Sequence, residues 1–274
     1  MNKLTILPQG GLGNRMRVLE SAIYFCHQFN YKLKVIWINN DDLGCNLEDI
    51  FESIGIDYSK PKTLFEYNFY KYFCRYKLLK YLPSLYSTFG LLLYDKVLLD
   101  LNIKSFNGDI DIKIVKDKHN LFISTCYPFF QFPNYNNFLL KKSLSEDLSL
   151  LKKNLGESYF GIHFRGTDNS KALKNSPLEK YITAIEKILE SDSNSIFFLA
   201  TDEEKVKKKM KLIFGEKIQM FSSSLNRNTK EGIHDAVLEL YCLANAHTII
   251  CSPFSSFSDT AQLIDKKKRI ILIQ

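Results

Sequence analysis

The sequence predicts an α/β protein made of two Rossmann-like halves that face each other across a cleft. The first observation is that short apolar strands alternate with amphipathic helices throughout the second half of the chain. The second is that the first half opens with a buried strand, a glycine-rich loop, a helix and another strand. A chain of 274 residues is long enough for two domains. We expect these domains at 1–150 and 151–274.

In the first half, hydrophobic periodicity and helix-breaking residues place the elements. Apolar residues fill KLTILPQ (3–9), which predicts a buried strand, and the glycines of GGLGN interrupt it. Asn46 stands where it can cap a short helix. The aromatic and basic stretch at 61–120 predicts helices that Pro83 and Gly90 break. The remaining predicted elements are a helix at 15–29, a strand at 32–38, a short helix at 47–54, a strand at 121–130 and a helix at 135–154.

In the second half, the predicted strands and helices alternate regularly, which is the pattern of a doubly wound parallel sheet. The predicted strands lie at 159–165, 195–201, 217–223, 247–252 and 269–273. The predicted helices lie at 177–191, 202–214, 231–246 and 255–264. In such sheets ligands bind beyond the carboxyl ends of the strands. Polar residues that directly follow a strand are therefore the first candidates for a site.

Composition and charge narrow the classes of function. No apolar run reaches the ~18 residues that a membrane span needs, and the apolar block at the N-terminus is too short for a signal peptide. We therefore expect a cytosolic protein. The net charge of +7 includes basic runs at 205–211 and 265–269, which are either solvated faces or surfaces that attract an anionic partner. Such a partner is a nucleotide, an acidic polysaccharide or the inner membrane surface, which would make the protein membrane-peripheral. Nucleic acid is not expected, since no recognition pattern accompanies the charge.

The spacing of the cysteines predicts neither a metal site nor a disulfide framework. No CxxC pair is present, so zinc is not expected. Most of the thiols lie within apolar patterns, where reduced and buried cysteines are common. The six are Cys26, Cys45, Cys74, Cys126, Cys242 and Cys251.

The segment GIHFRGTDN (161–169) carries polar groups at the end of an apolar strand. His163 and Arg165 are two residues apart and project to the same face of a strand. Gly166 allows a sharp turn, and Asp168 follows on the loop. The planar guanidinium of an arginine here suits a phosphate, to which it donates two parallel hydrogen bonds. The alternative is an internal ion pair between an arginine and an aspartate that closes the loop.

The glycine loop GGLGNRM (10–16) lies between the first strand and the first helix, where backbone amides can bind an anion. It is not a dinucleotide fingerprint, because Met16 stands where the third glycine would be. Asn14 and Arg15 can each donate hydrogen bonds to a phosphate or a sugar hydroxyl. Gly11, Gly13, Asn14 and Arg15 are therefore candidate ligand-binding residues.

Three further segments place polar residues near strand ends. Asp202 follows the strand of FLATD, and Ser255 and Ser256 lie at a turn between a strand and a helix. These serines either cap the helix or hold a phosphate. Asp235 and Glu239 lie four residues apart on one helix face, where like charges repel. A solvent-facing acidic patch is the alternative for this pair.

Together these segments resemble the GT-B fucosyltransferase superfamily, which includes bacterial α1,2- and α1,6-fucosyltransferases and protein O-fucosyltransferases. GGLGN is similar to the amino-terminal glycine motif, and HFRGTD matches the H-x-R-x-x-D signature. FLATD is similar to the third strand end, and LELYCLANAHTIICSPFSSFSDTA is similar to the last motif. The motifs occur in the family's order over most of the chain, with the least similarity at 61–120.

The resemblance implies an inverting, metal-independent enzyme with two GT-B domains, the first on the acceptor side and the second binding the nucleotide sugar. It implies that Arg165 contacts the β-phosphate and that His163 and Glu239 lie near the guanine or the ribose. Ser255 and Ser256 would bind the diphosphate. The Gly11–Asn14 loop would approach the diphosphate and the sugar, and Asp168 and Asp202 would orient these groups. The complete set of expected donor-binding residues is Gly11, Gly13, Asn14, Arg15, His163, Asp202, Asp235, Glu239, Ser255, Ser256 and Phe257, and the expected catalytic residues are Arg165 and Asp168.

The expected reaction is therefore transfer of fucose from GDP-fucose to a hydroxyl of a glycan or lipid-linked oligosaccharide, with no cofactor besides this donor. Departures from the α1,2 pattern, such as Gly166 after Arg165, favour an α1,6-like linkage without excluding the α1,2-like one. The proton of the acceptor would go to Asp168 or to a carboxylate of the first domain. The alternatives are a GT-B enzyme for another nucleotide sugar and a non-catalytic relative that binds GDP or a glycan.

Overall fold

The computed structural model of the chain describes residues 2–73, 92–105, 110–115, 117–130, 135–166, 176–221, 226–253, 255–265 and 269–273. The chain divides into two compact units, Met1–Leu140 and Lys141–Gln274. We call them unit 1 and unit 2. Each contains a five-stranded sheet whose neighbouring strands all run parallel. The predicted α/β class is confirmed.

Unit 1 begins as the sequence predicts, with a buried strand that leads into a long helix. In its main sheet the order of strands is β4-β2-β1-β6-β5, and a separate two-stranded antiparallel sheet pairs β3 with β7. The strands are β1 (Lys3–Pro8), β2 (Lys32–Val35), β3 (Phe51–Ser53), β4 (Tyr58–Ser59), β5 (Lys96–Leu99), β6 (Asn120–Thr125) and β7 (Leu139–Leu140). The helices are α1 (Leu12–Phe29), α2 (Leu47–Ile50), α3 (Leu64–Phe73) and α4 (Asp100–Ser105), with short 3₁₀ turns at Ile112–Ile114 and Tyr135–Asn137.

Several parts of unit 1 differ from the expectation. Strands β4 and β7 were not predicted, and the helix expected at 135–154 begins only at Lys142, after a 3₁₀ turn and β7. The short helix after Asn46 ends at Ile50, because Phe51 pairs with Leu140 in the antiparallel sheet and stacks at 5.0 Å on Phe138. This contact between distant parts of the chain overrides a local helical pattern. Strand β5 was not predicted at all. The predicted helix breaks at Pro83 and Gly90 lie outside the described residues.

Unit 2 alternates strands and helices as the sequence predicts. Its strands are β8 (Phe160–Phe164), β9 (Phe197–Thr201), β10 (Ile218–Gln219), β11 (Thr248–Cys251) and β12 (Arg269–Leu272). Its helices are α5 (Lys142–Leu155), α6 (Leu178–Ser191), α7 (Glu204–Phe214), α8 (Lys230–Asn245) and α9 (Ser256–Ile264), with a 3₁₀ turn at Gly215–Lys217. The strand order is β10-β9-β8-β11-β12, which is the order of the first five strands of a Rossmann sheet.

The division between the units lies ten residues earlier than the boundary expected at 150/151. Helix α5 belongs to unit 2, where it contacts α8. The preceding strand, β7, pairs with β3 and stays in unit 1. The chain therefore passes between the units at Leu140 and Lys141 rather than inside α5.

The two faces of β8 have different neighbours, and this decides which side chains reach its end. Ile162 and Phe164 pack in the apolar core with Tyr181 of α6. Gly161 faces α8, where an added Cβ would lie 3.0 Å from side-chain atoms of Leu243 and Ala246. Since side chains alternate along a strand, His163 lies on the same face as Gly161.

Candidate functional site

The candidate site lies at the carboxyl edge of the sheet in unit 2. From β8 the chain proceeds outward through β9 and β10, and it then returns to place β11 on the other side of β8. The connections that leave β8 and β11 therefore diverge, and a crevice between their carboxyl ends is where such sheets bind ligands. The segment HFRG spans the carboxyl end of β8, with Arg165 and Gly166 directly after the strand, and the serine-rich turn before α9 follows the same end of β11.

His163 is the buried member of this set. Its ring is 4% exposed, and its Nδ1 is 3.4 Å from the hydroxyl of Ser255. The ring lies 5.1 Å from the ring of Phe257. Burial lowers the pKa of His163 to about 4, and the nearby charge of Arg165 lowers it further. At neutral pH the imidazole is therefore uncharged, and it joins the ends of β8 and β11 through the serine.

Arg165 and Asp202 form an ion pair between neighbouring strand ends, with Nε and Oδ2 separated by 3.7 Å. The other oxygen of Asp202 accepts a hydrogen bond from the backbone N–H of Gly166 at 3.0 Å. The same carboxylate lies 3.4 Å from the guanidinium of Arg227. Asp202 thus anchors the backbone that follows β8 and contacts the guanidinium groups of both Arg165 and Arg227.

Gly166 is required for space rather than for a turn in the left-handed region. A Cβ at this position would lie only 1.9 Å from a carboxylate oxygen of Glu203. The φ angle of Gly166 is not in the left-handed range; among the glycines of the described ranges, Gly10, Gly55, Gly156 and Gly215 have such a φ. Glycine is needed here because the side chain of Glu203, the residue after Asp202, approaches closely, and the predicted sharp turn continues into residues outside the described ranges.

The turn before α9 presents serines to the same edge. Ser255 is buried and stands at the N-cap of α9, while Ser256 and Phe257 are partly exposed in its first turn. The side chain of Ser255 does not cap the helix, although its carbonyl accepts the backbone N–H of Asp259 at 3.0 Å. The hydroxyl instead faces His163. The amides at the start of α9 and the positive end of its dipole favour an anion.

The two predicted acidic residues of α8 lie at different depths. Asp235 is partly exposed in the second turn of the helix, whereas Glu239, one turn further on, is buried. Burial raises the pKa of the Cys242 thiol to about 12, and the charge of Glu239 also raises it. Since α8 begins after the carboxyl end of β10, Asp235 lies nearer to that edge of the sheet than Glu239 does.

Arg227, which the sequence motifs did not indicate, joins the cluster through Asp202. It lies in the loop before α8, two residues ahead of Thr229, the N-cap residue of that helix. Its place in a loop that follows a strand end is a signal that could have identified it. Asp168, the second predicted catalytic residue, lies outside the described residues.

In unit 1, the glycine loop also follows the carboxyl end of a strand. Gly10 has a φ of +78°, and a Cβ there would lie 2.8 Å from the side-chain nitrogen of Asn14, so glycine is needed for both reasons. Gly11 is the N-cap of α1, and Gly13 is buried inside its first turn. Asn14 accepts a hydrogen bond from Arg17 at 2.8 Å.

Arg15 differs from its predicted role, because its guanidinium is fully buried. It donates hydrogen bonds, each 2.7 Å long, to the carbonyls of Gly10 and Ile38 and to the side chain of Asn40. It also lies 4.9 Å above the ring of Trp37. Burial lowers its pKa to about 10. Arg15 therefore supports the glycine loop through its hydrogen bond to the Gly10 carbonyl. Its buried guanidinium does not extend toward a ligand, as the sequence predicts it would.

Within the described ranges, no three histidine, cysteine or acidic side chains come together as metal ligands would. The cysteines in those ranges are free thiols, all buried except the partly exposed Cys126. No helix in the same ranges is both long and apolar enough to cross a bilayer.

Comparison with known proteins finds similarity in fold. No family model matches the chain, and no curated protein matches it in sequence. Solved structures do match. The NodZ α1,6-fucosyltransferase of Bradyrhizobium, soaked with GDP-fucose, is 18% identical, with a TM-score of 0.62 over 96% of this chain and 93% of that chain.

Two other fucosyltransferases have similar folds. FUT1 of Arabidopsis thaliana, in complex with GDP, is 15% identical, with a TM-score of 0.64 over 99% of this chain and 70% of that chain. POFUT1, also in complex with GDP, is 11% identical, with a TM-score of 0.56 over 99% of this chain and 98% of that chain. The fold of this chain is thus that of the GT-B fucosyltransferases, and the resemblance found from the sequence motifs is confirmed at the level of fold.

Proposed function

We propose that this chain is an inverting, metal-independent fucosyltransferase that transfers fucose from GDP-fucose to a hydroxyl of a glycan or lipid-linked oligosaccharide. The observation that supports it most is the grouping of Arg165, Asp202, Ser255 and His163 at the carboxyl ends of three neighbouring strands, β9, β8 and β11. The fold is also shared with proteins whose structures contain GDP or GDP-fucose. The linkage would be α1,6-like or α1,2-like.

The chemistry needs a cationic and hydrogen-bonding site for the departing diphosphate. When the bond between the sugar and the phosphate breaks, negative charge grows on the β-phosphate. Arg165, the hydroxyls of Ser255 and Ser256 and the amides at the start of α9 would stabilise this charge. Removing one such donor typically costs ~10²–10³ in rate. Asp202 would aim Arg165, since it already contacts that guanidinium.

The other donor-binding residues would hold the nucleoside and the sugar. A neutral His163 and the adjacent Phe257 would offer a hydrogen-bonding ring and an apolar face to the guanine or ribose. Asp235 and Glu239 of α8 would contribute to the same donor-binding set. Gly11, Gly13 and Asn14 would bind the donor through their loop. Asp168 stays a proposed catalytic residue. Unit 2 would be the nucleotide-sugar-binding domain and unit 1 the acceptor-side domain, in a protein that is cytoplasmic or attached to the inner membrane surface.

A panel of nucleotide sugars tests the donor class. We expect GDP and GDP-fucose to raise the melting temperature of the full chain more than UDP- or ADP-sugars do. A larger shift with UDP-sugars would favour an enzyme for another donor. With labelled GDP-fucose and an array of glycan acceptors, we expect transfer that persists in EDTA. Binding of GDP without transfer to any acceptor would instead favour a non-catalytic relative, and loss of transfer in EDTA would contradict metal independence.

A further inference from the structure

Two arginines at the carboxyl edge of unit 2 share one carboxylate. Nε of Arg165, directly after β8, lies 3.7 Å from Oδ2 of Asp202. A terminal nitrogen of Arg227, in the loop before α8, lies 3.4 Å from the same oxygen. Since both nitrogens approach one oxygen, their separation cannot exceed the sum of these two distances. Two guanidinium groups thus lie close together at the edge where a sheet of this topology binds ligands.

The shared carboxylate is itself held in place. One oxygen of Asp202 accepts the backbone N–H of Gly166 at 3.0 Å, and the other contacts both arginines. Arginine side chains lose much rotational freedom when they bind a ligand, and a contact that already orders them lowers this cost. Asp202 therefore pre-organises both guanidinium groups.

The two guanidinium groups remain open to solvent on this edge. The side chain of Arg227 is 39% exposed, and that of Arg165 is 24% exposed. Ion pairs with this degree of exposure contribute little to stability, and two like charges placed together repel each other. Stability alone therefore gives little reason for a second arginine on the same carboxylate.

Acidic side chains also lie at this edge, which limits the kind of ligand that the arginines suit. The carboxylate of Glu203 approaches the backbone of Gly166, next to Asp202. Recognition of an anion here would therefore depend on directed hydrogen bonds from the guanidinium groups rather than on net charge. The planar fork of an arginine gives such bonds to a phosphate.

We propose that Arg227 binds the terminal phosphate of the donor diphosphate together with Arg165. This inference deepens the proposed function and rests on it. Each guanidinium would donate to different oxygens of that phosphate, while Asp202 holds both arginines from the protein side. Arg227 is then a residue that determines specificity, because it favours a nucleoside diphosphate over the corresponding monophosphate.

Calorimetric titration of the full chain with GDP and GMP tests this role. Arg227→Gln removes the charge and keeps a similar side-chain length. We expect its affinity for GDP to fall by ~10-fold or more, the usual effect of losing a hydrogen bond between charged partners. Its affinity for GMP, which lacks the terminal phosphate, should stay at the wild-type value. Arg227→Lys should regain part of the affinity for GDP.

Lys209→Gln is the matched control. It removes the cation of another exposed ion pair of unit 2, in which Lys209 of α7 lies 3.1 Å from Glu179 of α6. This variant should bind GDP and GMP as the wild type does. The readout is the ratio of the two affinities within one sample, which a partial loss of folded protein does not change.

The outcomes separate the role of Arg227 from the function itself. An unchanged affinity for GDP in Arg227→Gln would overturn the role, and so would an equal loss for GDP and GMP, because a merely structural residue would affect both nucleotides alike. In either case, tight binding of GDP by the wild type would leave the proposed function intact. A wild type that binds neither GDP nor GDP-fucose would overturn the proposed function, and the role of Arg227 with it.

Discussion

His163, the penultimate residue of β8, is a neutral imidazole at neutral pH, since burial lowers its pKa to about 4 and the charge of Arg165 also lowers it. Its partners are the hydroxyl of Ser255 and the ring of Phe257. Protonation would place a second positive charge beside Arg165 in a buried position, which is costly without a partner. The state of this one ring therefore links the stability of unit 2 to pH.

We expect the free energy of unfolding to fall as the pH decreases from about 6.5 to about 4. In this window the unfolded chain protonates His163, whereas the folded protein keeps it neutral, so the unfolded state binds more protons and acid favours it. At 1.36 kcal/mol per pKa unit, the loss amounts to about 3 kcal/mol. Denaturant unfolding at a series of pH values measures it. In His163→Gln this component should vanish, whereas His119→Gln, at an exposed histidine, should keep it. Identical pH profiles of the wild type and His163→Gln would contradict the buried, neutral state.

Sequence patterns predicted which polar side chains lie at or just after the ends of the strands. They did not predict how far each of these side chains is buried. Arg15 has the same chemistry as Arg165 and a similar place after a strand, yet one is fully buried and the other partly exposed. The difference arises because Ile38 and Asn40, which are distant in sequence, offer acceptors to Arg15. Such long-range contacts are not encoded in the local pattern. Gly166 is a similar case, since only the packed position of Glu203 explains it.

At the scale of elements, helix α8 carries both Asp235 and Glu239, and its start is held by one side chain. The hydroxyl of Thr229 accepts the backbone N–H of Gly232 at 3.1 Å, which satisfies one of the amides that every helix leaves open at its beginning. Arg227 lies in the turn just before this cap. The cap therefore stabilises the start of a helix that begins three residues after Arg227, whose guanidinium contacts Asp202.

We expect Thr229→Ala to lower the free energy of unfolding by about 1 kcal/mol, the usual effect of removing an N-cap side chain. Chemical denaturation of the full chain provides the measurement. Thr183→Ala is the matched control, because Thr183 is exposed in the middle of α6 and alanine is the better helix former there. Equal stability of Thr229→Ala and the wild type would show that the cap contributes nothing.

Periodicity predicted the elements of unit 2 well, because each strand and helix there is bounded by clear breaks. The same reasoning failed for β3, β4, β5 and β7 of unit 1. Phe51–Ser53 is a strand only because it pairs with Leu139–Leu140, and a four-residue strand such as Lys96–Leu99 is too short to show a period among apolar neighbours. Elements that depend on a distant partner are those that a local pattern misses.

At the scale of the molecule, alternation of strands and helices predicted two parallel sheets, and the structure contains both. Each sheet reverses its strand order beside its first strand, and each places its polar loops at the carboxyl edge there. Sequence motifs could be assigned to these edges because, in a parallel sheet, every loop that directly follows a strand lies at the carboxyl edge. The partners of each side chain, including Arg227 with Asp202 and Ser255 with His163, required the structure.

The central claim is that the guanidinium of Arg165 stabilises the diphosphate as it leaves. Steady-state transfer of fucose from GDP-fucose by Arg165→Ala tests it most directly, with Arg269→Ala, at the amino end of β12, as the control on the same sheet. We predict that kcat falls by ~10²–10³-fold in Arg165→Ala and stays at the wild-type value in Arg269→Ala. A kcat near that of the wild type in Arg165→Ala would contradict the claim.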